Sequence, residues 1–268
     1  MTSAARAADS TYFARSLPRV LAHRGLATAA PENTLLAFST ALAAGADYIE
    51  TDVHASRDGI AVISHDPDLT RPVGRESKVE DLTLEQLTRI DLGGGQSFCS
   101  LASALDAFPA TRFNIDIKSM GAAVPAARAI LDAGARRRVL VTSFGDRRRR
   151  AALRLLPGVA TSAAALPFAF AFGFASLGLL GVSRLLLRRV NAVQVPERWM
   201  LGPLRVEVVT PRFIAQMHRL GIEVHVWTIN DPRDMRRLLD MGVDGIVTDR
   251  ADVALDLIRA RKSSTSAP

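Results

Sequence analysis

Short apolar runs alternate with longer segments of helical length over most of the chain. Runs at residues 112–118, 139–143 and 245–248 are rich in β-branched residues, which is typical of buried strands, and the segments between such runs have the length and composition of helices. From Val20 onward the pattern gives eight strands. Eight strands alternating with helices predict a (β/α)8 TIM barrel of the α/β class, in which the active site lies at the carboxyl ends of the strands.

The second predicted strand continues into a β-ribbon at residues 48–66. Two apolar-rich runs there flank Asp58-Gly59, a dipeptide suited to a two-residue hairpin turn because both residues accept positive φ. With such a turn, Asp52 lies opposite His65. Glu50 and Asp52 are two residues apart on one strand, so they share a face and could hold one cation between them. The alternative is an exposed ribbon in which alternating charge has no functional meaning.

The polar segments set the predicted boundaries of the domain. Residues 1–18 are small and polar and predict a loose arm, residues 19–261 form the predicted barrel, and residues 262–268 predict a disordered tail. Residues 66–100, a polar stretch with one short helical segment and three consecutive glycines, predict a small insertion after strand 2. The length of 268 residues suits one barrel-sized domain better than two small ones.

Composition narrows the class of protein. The single cysteine, Cys99, cannot form an internal disulfide, and the first residues lack the apolar core of a signal peptide, so a cytoplasmic location is expected. The net charge of +7 comes almost wholly from arginine and suits an anionic partner, although a merely solvated basic surface is the alternative. No zinc-finger spacing occurs and no aromatic residues are interleaved with the basic runs, which argues against nucleic-acid binding.

Residues 163–187 are the most apolar stretch, long enough to cross a bilayer at about 20 residues. A crossing would put the strands on either side of it in different compartments, so we predict an apolar helical segment that does not span. Its phenylalanines at 168, 170, 172 and 174 would occupy more than one helix face. The arginines that close it suit peripheral contact with anionic headgroups at the inner face of a membrane. The alternative is burial against the barrel or against the partner in a homodimer.

The predicted strand ends carry the candidate chemistry, because in a barrel they all face one mouth. They are His23, Arg24, Glu50, Asp52, His65, Asp116, Lys118, Ser143, Gln194, Trp227, Thr228 and Asp249. Carboxylate oxygens select Ca²⁺ or Mg²⁺ over zinc, a bound cation offsets phosphate charge, and histidines exchange protons at neutral pH. The set therefore suits cleavage of a phosphate ester. Trp227 could stack on the substrate or simply pack in the barrel.

Six short motifs resemble those of the glycerophosphodiester phosphodiesterase family, and the likeness covers residues 23–249. In the family's order they are His-Arg-Gly from residue 23, Pro-Glu-Asn-Thr from 31, Glu-x-Asp-Val from 50, Asp-Gly-x-x-Val-x-x-His-Asp from 58, Asn-x-Asp-x-Lys from 114 and Trp-Thr-x-Asn from 227. The resemblance implies the same barrel and a metal-dependent hydrolase of glycerol and lipid metabolism, which releases sn-glycerol 3-phosphate and an alcohol.

The resemblance also implies roles for individual residues. By that likeness Glu50, Asp52 and Asp116 bind the divalent metal, His23 and His65 are the acid and base in an order left open, and Arg24 and Lys118 hold the phosphate. The insertion at 66–100 would partly cover the mouth and help to choose the alcohol.

One departure from the family pattern bears on the metal. Asp116 stands where the family usually has glutamate, so the third ligand is one methylene shorter. Two other functions therefore stay open. One is a lysophospholipase D or related lipid phosphodiesterase on the same site, and the other is a silent barrel that only binds phosphorylated ligands.

Overall fold

The computed structural model describes residues 10–202 and 204–265. The strands in these residues are β1 (Arg19–His23), β2 (Tyr48–Ala55), β3 (Ala61–Ile63), β4 (Asp91–Gly93), β5 (Gln96–Ser97), β6 (Arg112–Ile117), β7 (Val139–Thr142), β8 (Ala160–Thr161), β9 (Ala192–Pro196), β10 (Arg198–Leu201), β11 (Leu204–Glu207), β12 (Glu223–Trp227) and β13 (Gly245–Thr248). The helices are α1 (Leu35–Ala43), α2 (Thr70–Val73), α3 (Leu84–Thr88), α4 (Leu101–Ala107), α5 (Ala123–Asp132), α6 (Asp146–Leu153), α7 (Ala165–Ser176), α8 (Leu180–Leu186), α9 (Pro211–Arg219), α10 (Pro232–Met241) and α11 (Ala251–Thr265), with short 3₁₀ helices at Val79–Asp81 and Ala135–Arg138.

Eight parallel strands form a nearly closed barrel, which confirms the predicted fold. Around the wall they follow the order β8-β7-β6-β2-β1-β13-β12-β9, and a single parallel bridge between Ser162 and Ala192 joins the two ends. The register places His23 beside Glu50 and Asp52 beside Asp116. Residues that are far apart in the sequence therefore share one level at the carboxyl end of the barrel.

The helices form where the sequence supplies a cap and an apolar face. In α1 the Thr34 side chain accepts a hydrogen bond from the backbone nitrogen of Ala37, which satisfies a donor that the first turn leaves free. The helix then buries Phe38 against Phe113 of β6, with ring centroids 5.9 Å apart. The main core lies between the strands and this ring of helices.

The hairpin between β2 and β3 differs from the predicted two-residue turn. Ala55 pairs with Ala61, and residues 57–59 form a three-residue loop. The backbone nitrogen of Gly59 donates to the carbonyl of Ser56, and Gly59 itself has φ of +74°. Asp-Gly is compatible with either loop length, because a three-residue loop needs positive φ at its last residue alone. Asp52 consequently lies opposite Ser64, whose nitrogen donates to its carbonyl, and the predicted pairing with His65 is wrong.

The segment before β1 is not a loose arm in the residues that the structure describes. Tyr12 is fully buried at the amino-terminal end of the barrel, with its ring edge-on to Tyr48. The Tyr48 hydroxyl donates to the carbonyl of Tyr12, and the nitrogens of Thr11 and Tyr12 donate to the carbonyl of Arg137. The prediction failed there because one aromatic residue outweighs its small polar neighbours. Residues 1–9 of the predicted arm lie outside the described residues.

The predicted insertion at 66–100 has a small core of its own. Val62 of β3 packs there with apolar residues of the insertion, namely Leu69, Val79, Leu87, Ile90 and Phe98. Of the three consecutive glycines, Gly93 ends β4 and the other two make the turn to β5, each with positive φ. The insertion is tied back to the barrel where the nitrogen of Ile63 donates to the carbonyl of Cys99.

The apolar segment at 163–187 folds as two helices rather than one. Gly178, with φ of +81°, follows the end of α7, and α8 begins two residues later. None of the helices in residues 10–202 and 204–265 has the length and apolar content needed to cross a membrane.

Two further elements differ from the sequence prediction. The hairpin of β10 and β11 had no counterpart in it. At the carboxyl terminus α11 continues to Thr265, so residues 262–265 of the predicted tail are helical, and residues 266–268 lie outside the described residues.

Candidate active site

A cavity of about 300 Å³ opens at the carboxyl ends of the strands. Both charged and aromatic side chains line it, and they meet where the Nζ of Lys118 lies 5.8 Å from the centre of the Phe144 ring. The charged residues are His23, Arg24, Glu50, Asp52, His65, Asp116 and Lys118. The structure thus brings the residues given catalytic, metal-binding or substrate-binding roles to one cavity, with Trp227 among its aromatic residues, while Asp249 lies outside the lining and contacts His23.

Three buried carboxylates lie in the cavity, and two of them pair with one ammonium group. Glu50, Asp52 and Asp116 are each at most 6% exposed, and the Nζ of Lys118 lies 2.8 Å from Asp52 and 2.7 Å from Asp116. Burial and the negative charge of Asp52 raise the pKa of Glu50 to about 8. The pKa of Asp52 is lowered, because Lys118 and Arg24 outweigh the effect of burial.

The donors around this cluster fit a hard divalent cation. Oδ1 of Asp116 and Oδ1 of Asn114 are buried and make no hydrogen bond, and both are the kind of oxygen that Ca²⁺ and Mg²⁺ bind. As they stand, no three His, Cys, Asp or Glu side chains within the described residues are arranged as a metal-binding group. The ammonium of Lys118 lies between two of the carboxylates, where a cation would also be attracted.

His23 is held by a carboxylate on the side away from the metal-site candidates. Its Nδ1 lies 2.6 Å from Asp249, while its Nε2 lies 3.9 Å from Glu50. Burial works to lower the pKa of His23, but the hydrogen bond to Asp249 and the charge of Glu50 outweigh it, so the pKa is raised. Asp249 is fixed in turn by Asn230, whose Nδ2 donates to it at 2.7 Å.

His65 has a similar support from its neighbour in the sequence. Its Nδ1 lies 2.7 Å from Asp66, which also pairs with the guanidinium of Arg71. Arg71 reaches Glu32 at 2.6 Å, and Glu32 accepts a hydrogen bond from Arg24 at 2.9 Å. A chain of alternating charges therefore links one candidate proton carrier to one candidate phosphate ligand.

Backbone geometry turns Arg24 into the cavity. Arg24 and Asn33 both have positive φ, +56° and +58°, which is uncommon for residues other than glycine. The nitrogen of Asn33 donates to the carbonyl of Arg24, and its Nδ2 lies 3.2 Å from Asp52. Next to Arg24, a Cβ on Gly25 would come within 2.7 Å of the backbone of Ala37, so only glycine fits there.

Aromatic residues form the apolar part of the cavity lining. Phe144, Phe168, Trp199 and Trp227 line it, and Phe144 meets Trp227 edge-on with centroids 5.7 Å apart. Phe168 packs against Trp199 in the same way at 5.4 Å. The cavity can therefore offer both charged groups and apolar surface to a ligand.

Sequence reasoning missed several of these contributions. Asn33 lies within a recognised motif, but nothing in the sequence showed that its side chain reaches Asp52. Trp199 was unassigned because the β10–β11 hairpin was not foreseen. His54 is buried with its Nε2 3.2 Å from the carbonyl of His65. His225 is also buried, and the His218 side chain is 43% exposed.

Comparisons with known proteins agree with this geometry. Residues 23–253 match the model of the glycerophosphoryl diester phosphodiesterase family. A Mycobacterium tuberculosis protein named probable glycerophosphodiester phosphodiesterase 2 is 42% identical, over 95% of this chain and 96% of its own length.

Solved structures show the same fold. The glycerophosphodiester phosphodiesterase of Agrobacterium tumefaciens superposes with a TM-score of 0.74 at 22% identity, covering 91% of this chain and all of that one. An Oleispira antarctica phosphodiesterase, solved in complex with the product sn-glycerol-3-phosphate, gives 0.72 at 23% identity, covering 91% of this chain and 97% of that one. The family match spans most of the chain and includes the residues at the barrel mouth, and the chain belongs to the glycerophosphoryl diester phosphodiesterase family.

Proposed function

We propose that this chain hydrolyses glycerophosphodiesters to sn-glycerol 3-phosphate and an alcohol, with a divalent metal as cofactor. One observation carries the proposal. Three buried carboxylates and two carboxylate-backed histidines converge on one cavity together with Arg24 and Lys118. Anionic oxygens for a metal, groups that exchange protons and cations for a phosphate are what this reaction requires.

Arg24 and Lys118 are the proposed phosphate ligands. The Nε of Arg24 lies 3.2 Å from Asp52, an ion pair without hydrogen-bond geometry, so this N–H remains free to donate to a substrate oxygen. Lys118 is held by Asp52 and Asp116, which outweigh burial and raise its pKa, so it stays charged. Together they neutralise charge on the bound diester and orient it.

Glu50, Asp52 and Asp116 would hold Ca²⁺ or Mg²⁺, with the unpartnered oxygen of Asp116 facing inward. When bound, the cation supplies Lewis-acid stabilisation of the negative charge that develops on the phosphate. Asp116 is shorter than the glutamate typical of the family, yet its orphaned Oδ1 is available as a donor. Lys118 would then share the pair Asp52 and Asp116 with the metal.

The two histidines would move the protons. Each presents Nε2 for exchange, because Nδ1 of His23 is bonded to Asp249 and Nδ1 of His65 to Asp66. One removes the proton from the attacking hydroxyl, and the other protonates the departing alkoxide. Attack by water gives sn-glycerol 3-phosphate directly, whereas attack by the glycerol hydroxyl gives a cyclic phosphate that water must open in a second step. The named relative at 42% identity and the product complex of the Oleispira protein support this reaction class.

The aromatic part of the cavity lining favours a second candidate, a lysophospholipase D that acts on lysolipids. Phe144, Phe168, Trp199 and Trp227 would there contact an apolar part of the substrate. The charged residues recognise the glycerophosphate unit that both substrates share, and the soluble diester remains the first proposal because the relative at 42% identity is named a probable glycerophosphodiester phosphodiesterase.

A substrate panel tests these alternatives. We expect release of sn-glycerol 3-phosphate from glycerophosphocholine and glycerophosphoethanolamine, its loss with a chelator, and its recovery on adding Ca²⁺ or Mg²⁺. Choline release from lysophosphatidylcholine alone would favour the second candidate. No turnover of any substrate with either metal would leave a barrel that only binds phosphorylated ligands.

A pair of variants tests the metal ligands within the same assay. Asp116→Asn should lower turnover by about 10²-fold or more and weaken metal binding measured by calorimetry, because hard-ion affinity depends on anionic oxygens. The matched control is Asp106→Asn on α4, an exposed carboxylate outside the cavity, which should leave both unchanged. Chelator-resistant turnover in the unsubstituted protein would contradict the metal proposal.

A further inference from the structure

Helix α7 is apolar on its outer face as well as its inner face. Its inner face buries Phe168, Ala171 and Ala175 against the barrel. On the outside, Leu166 is 70% exposed and Phe170 is 61% exposed. The helix contains no charged residue. An all-apolar helix is normally buried on all sides. The outer face of α7 instead exposes large apolar side chains to solvent, which marks it as a surface for contact with another apolar surface.

Helix α8 continues the same surface. The Ser183 hydroxyl donates to the carbonyl of Ala171 in α7, and this contact fixes the two helices together. The exposed apolar side chains of the pair and of the turn between them form what we name the apolar plate. It consists of Leu166, Phe170, Leu177, Leu179, Val182, Leu185 and Leu186. These are seven of the sixteen large apolar side chains exposed on the described residues.

The charges around the apolar plate have one sign. No aspartate or glutamate occurs between Asp146 and Glu197 in the sequence. Arg184, Arg188 and Arg189 are exposed at the end of the plate, and in the described part of the chain none of the three pairs with a carboxylate. The Nη2 of Arg184 reaches only the carbonyl of Arg219, itself an exposed cation.

The apolar plate also adjoins the active-site mouth. Ala165 and Phe168, in the first turn of α7, line the cavity, and Leu166 between them points outward. Whatever covers the plate therefore lies beside the opening through which substrate enters.

We propose that the apolar plate docks on the surface of an anionic lipid bilayer. Apolar side chains bordered by unpaired arginines match the boundary between acyl chains and negatively charged headgroups. A second copy of the chain suits the plate less well, because a twofold contact pairs the plate with itself, and the segment between Asp146 and Glu197 offers no carboxylate to meet the arginines. Docking would set the cavity at the level of the headgroups, where phosphodiesters occur. The proposal does not depend on which of them is cleaved.

Vesicle co-sedimentation of the full chain tests the proposal. We expect binding to phosphatidylcholine vesicles that contain phosphatidylglycerol to be about tenfold tighter than to phosphatidylcholine alone, and to weaken with added salt. Phe170→Ser with Leu177→Ser should reduce binding to the anionic vesicles about tenfold or more, because it removes large apolar side chains from the contact. Turnover of soluble substrate should not change, since neither residue lines the cavity.

The matched control is Val124→Ser with Leu131→Ser, a pair of exposed apolar residues on α5, which should bind as the unsubstituted protein does. Arg188→Ala with Arg189→Ala should weaken binding to anionic vesicles, with Arg128→Ala on α5 as its control. Thermal unfolding of each variant establishes that it is folded.

Three results would overturn the proposal. One is an unsubstituted protein that stays in the supernatant at low salt. Another is equal loss of binding in the α5 control. The third is an unsubstituted protein that does not bind vesicles but forms a concentration-dependent dimer, which Phe170→Ser with Leu177→Ser abolishes.

Discussion

Each candidate proton carrier has a free Nε2 and a carboxylate on Nδ1, Asp249 behind His23 and Asp66 behind His65. We expect His23→Ala and His65→Ala each to lower kcat by about 10²–10⁴-fold, the usual contribution of a positioned acid or base. His218→Ala, which alters a partly exposed imidazole outside the cavity, should leave kcat nearly unchanged. Steady-state kinetics on glycerophosphocholine measures all three. A loss below about tenfold at either histidine would remove it from the proton transfer.

Asp249 acts through His23, so its removal should give a different kinetic signature. Asp249→Asn keeps the shape of the side chain but not its charge, and we expect kcat to fall about 10–100-fold, as when the partner behind a functional imidazole is lost. KM should change little. The limb of the pH–rate profile that belongs to His23 should move to lower pH, because the hydrogen bond to Asp249 that helps to raise the pKa of His23 is weakened. Asp252→Asn, an acid on α11 outside the cavity, is the control. An unchanged pH profile would mean that Asp249 only packs.

The positions of individual site residues could be predicted from the sequence where a single structural rule fixes them. Strand ends of a parallel barrel converge, so Glu50, Asp52 and Asp116 could be grouped from the sequence. The contact of Asn33 with Asp52 could not, because it depends on two residues with positive φ that no local pattern demands. Tertiary context alone sets such contacts.

At the level of elements, the predictions were correct where the apolar pattern alone defines a strand or helix, and wrong where the conformation of a turn sets the boundary or the register. The strands predicted at 112–118, 139–143 and 245–248 are found to within one residue, as β6, β7 and β13, because continuous apolar runs mark them. The ribbon register was off by one residue because Asp58-Gly59 suits two loop lengths. The segment at 163–187 was read as one helix because its apolar content hides the break at Gly178.

The segment around Tyr12 covers the amino-terminal end of the barrel, a role that the sequence did not reveal. Tyr12→Ala should lower the free energy of unfolding by about 3–5 kcal/mol, as for other large aromatic residues in a core. Tyr12→Phe should be neutral or slightly stabilising, because the buried hydroxyl has no hydrogen-bond partner. Urea denaturation measures both. If Tyr12→Ala unfolds like the unsubstituted protein, this segment does not contribute to the core.

The whole molecule separates its catalytic end from a stabilising ion pair at the opposite end. The buried guanidinium of Arg19 donates to Glu223 at 2.7 and 2.8 Å, and His225 lies 3.0 Å from the same carboxylate. Burial works to raise the pKa of Glu223, but these partners outweigh it and lower it from 4.5 to about 2. Unfolded chains therefore bind this proton more readily than the folded barrel does. The stabilisation is complete above pH 4.5 and is lost as the pH falls towards 2.

Glu223→Gln should cost about 3–5 kcal/mol of unfolding free energy at neutral pH, because Arg19 is left buried without its partner. The difference in unfolding free energy between this variant and the unsubstituted protein should decrease by about 3 kcal/mol as the pH falls from 4.5 towards 2. Denaturant titrations from pH 7 to 2 measure it. Glu207→Gln, at an exposed ion pair of the β10–β11 hairpin, is the control and should show neither effect. If this difference in unfolding free energy does not change with pH, the ionisation of Glu223 is not the source of the pH dependence.

The separate core of the insertion has a consequence for how such enzymes diversify. Its contacts with the rest of the chain occur at several points: Arg71 pairs with Glu32 beside the cavity, the nitrogen of Arg57 donates to the carbonyl of Leu82, and Ser100 bridges Val62 at the exit. Exposed residues outside these contacts, such as Arg75 and Glu76, can be replaced or added to without altering a barrel strand. The barrel and the contact residues then keep the chemistry from ancestor to descendant, while the exposed part of the insertion varies, and natural selection can act on the two separately.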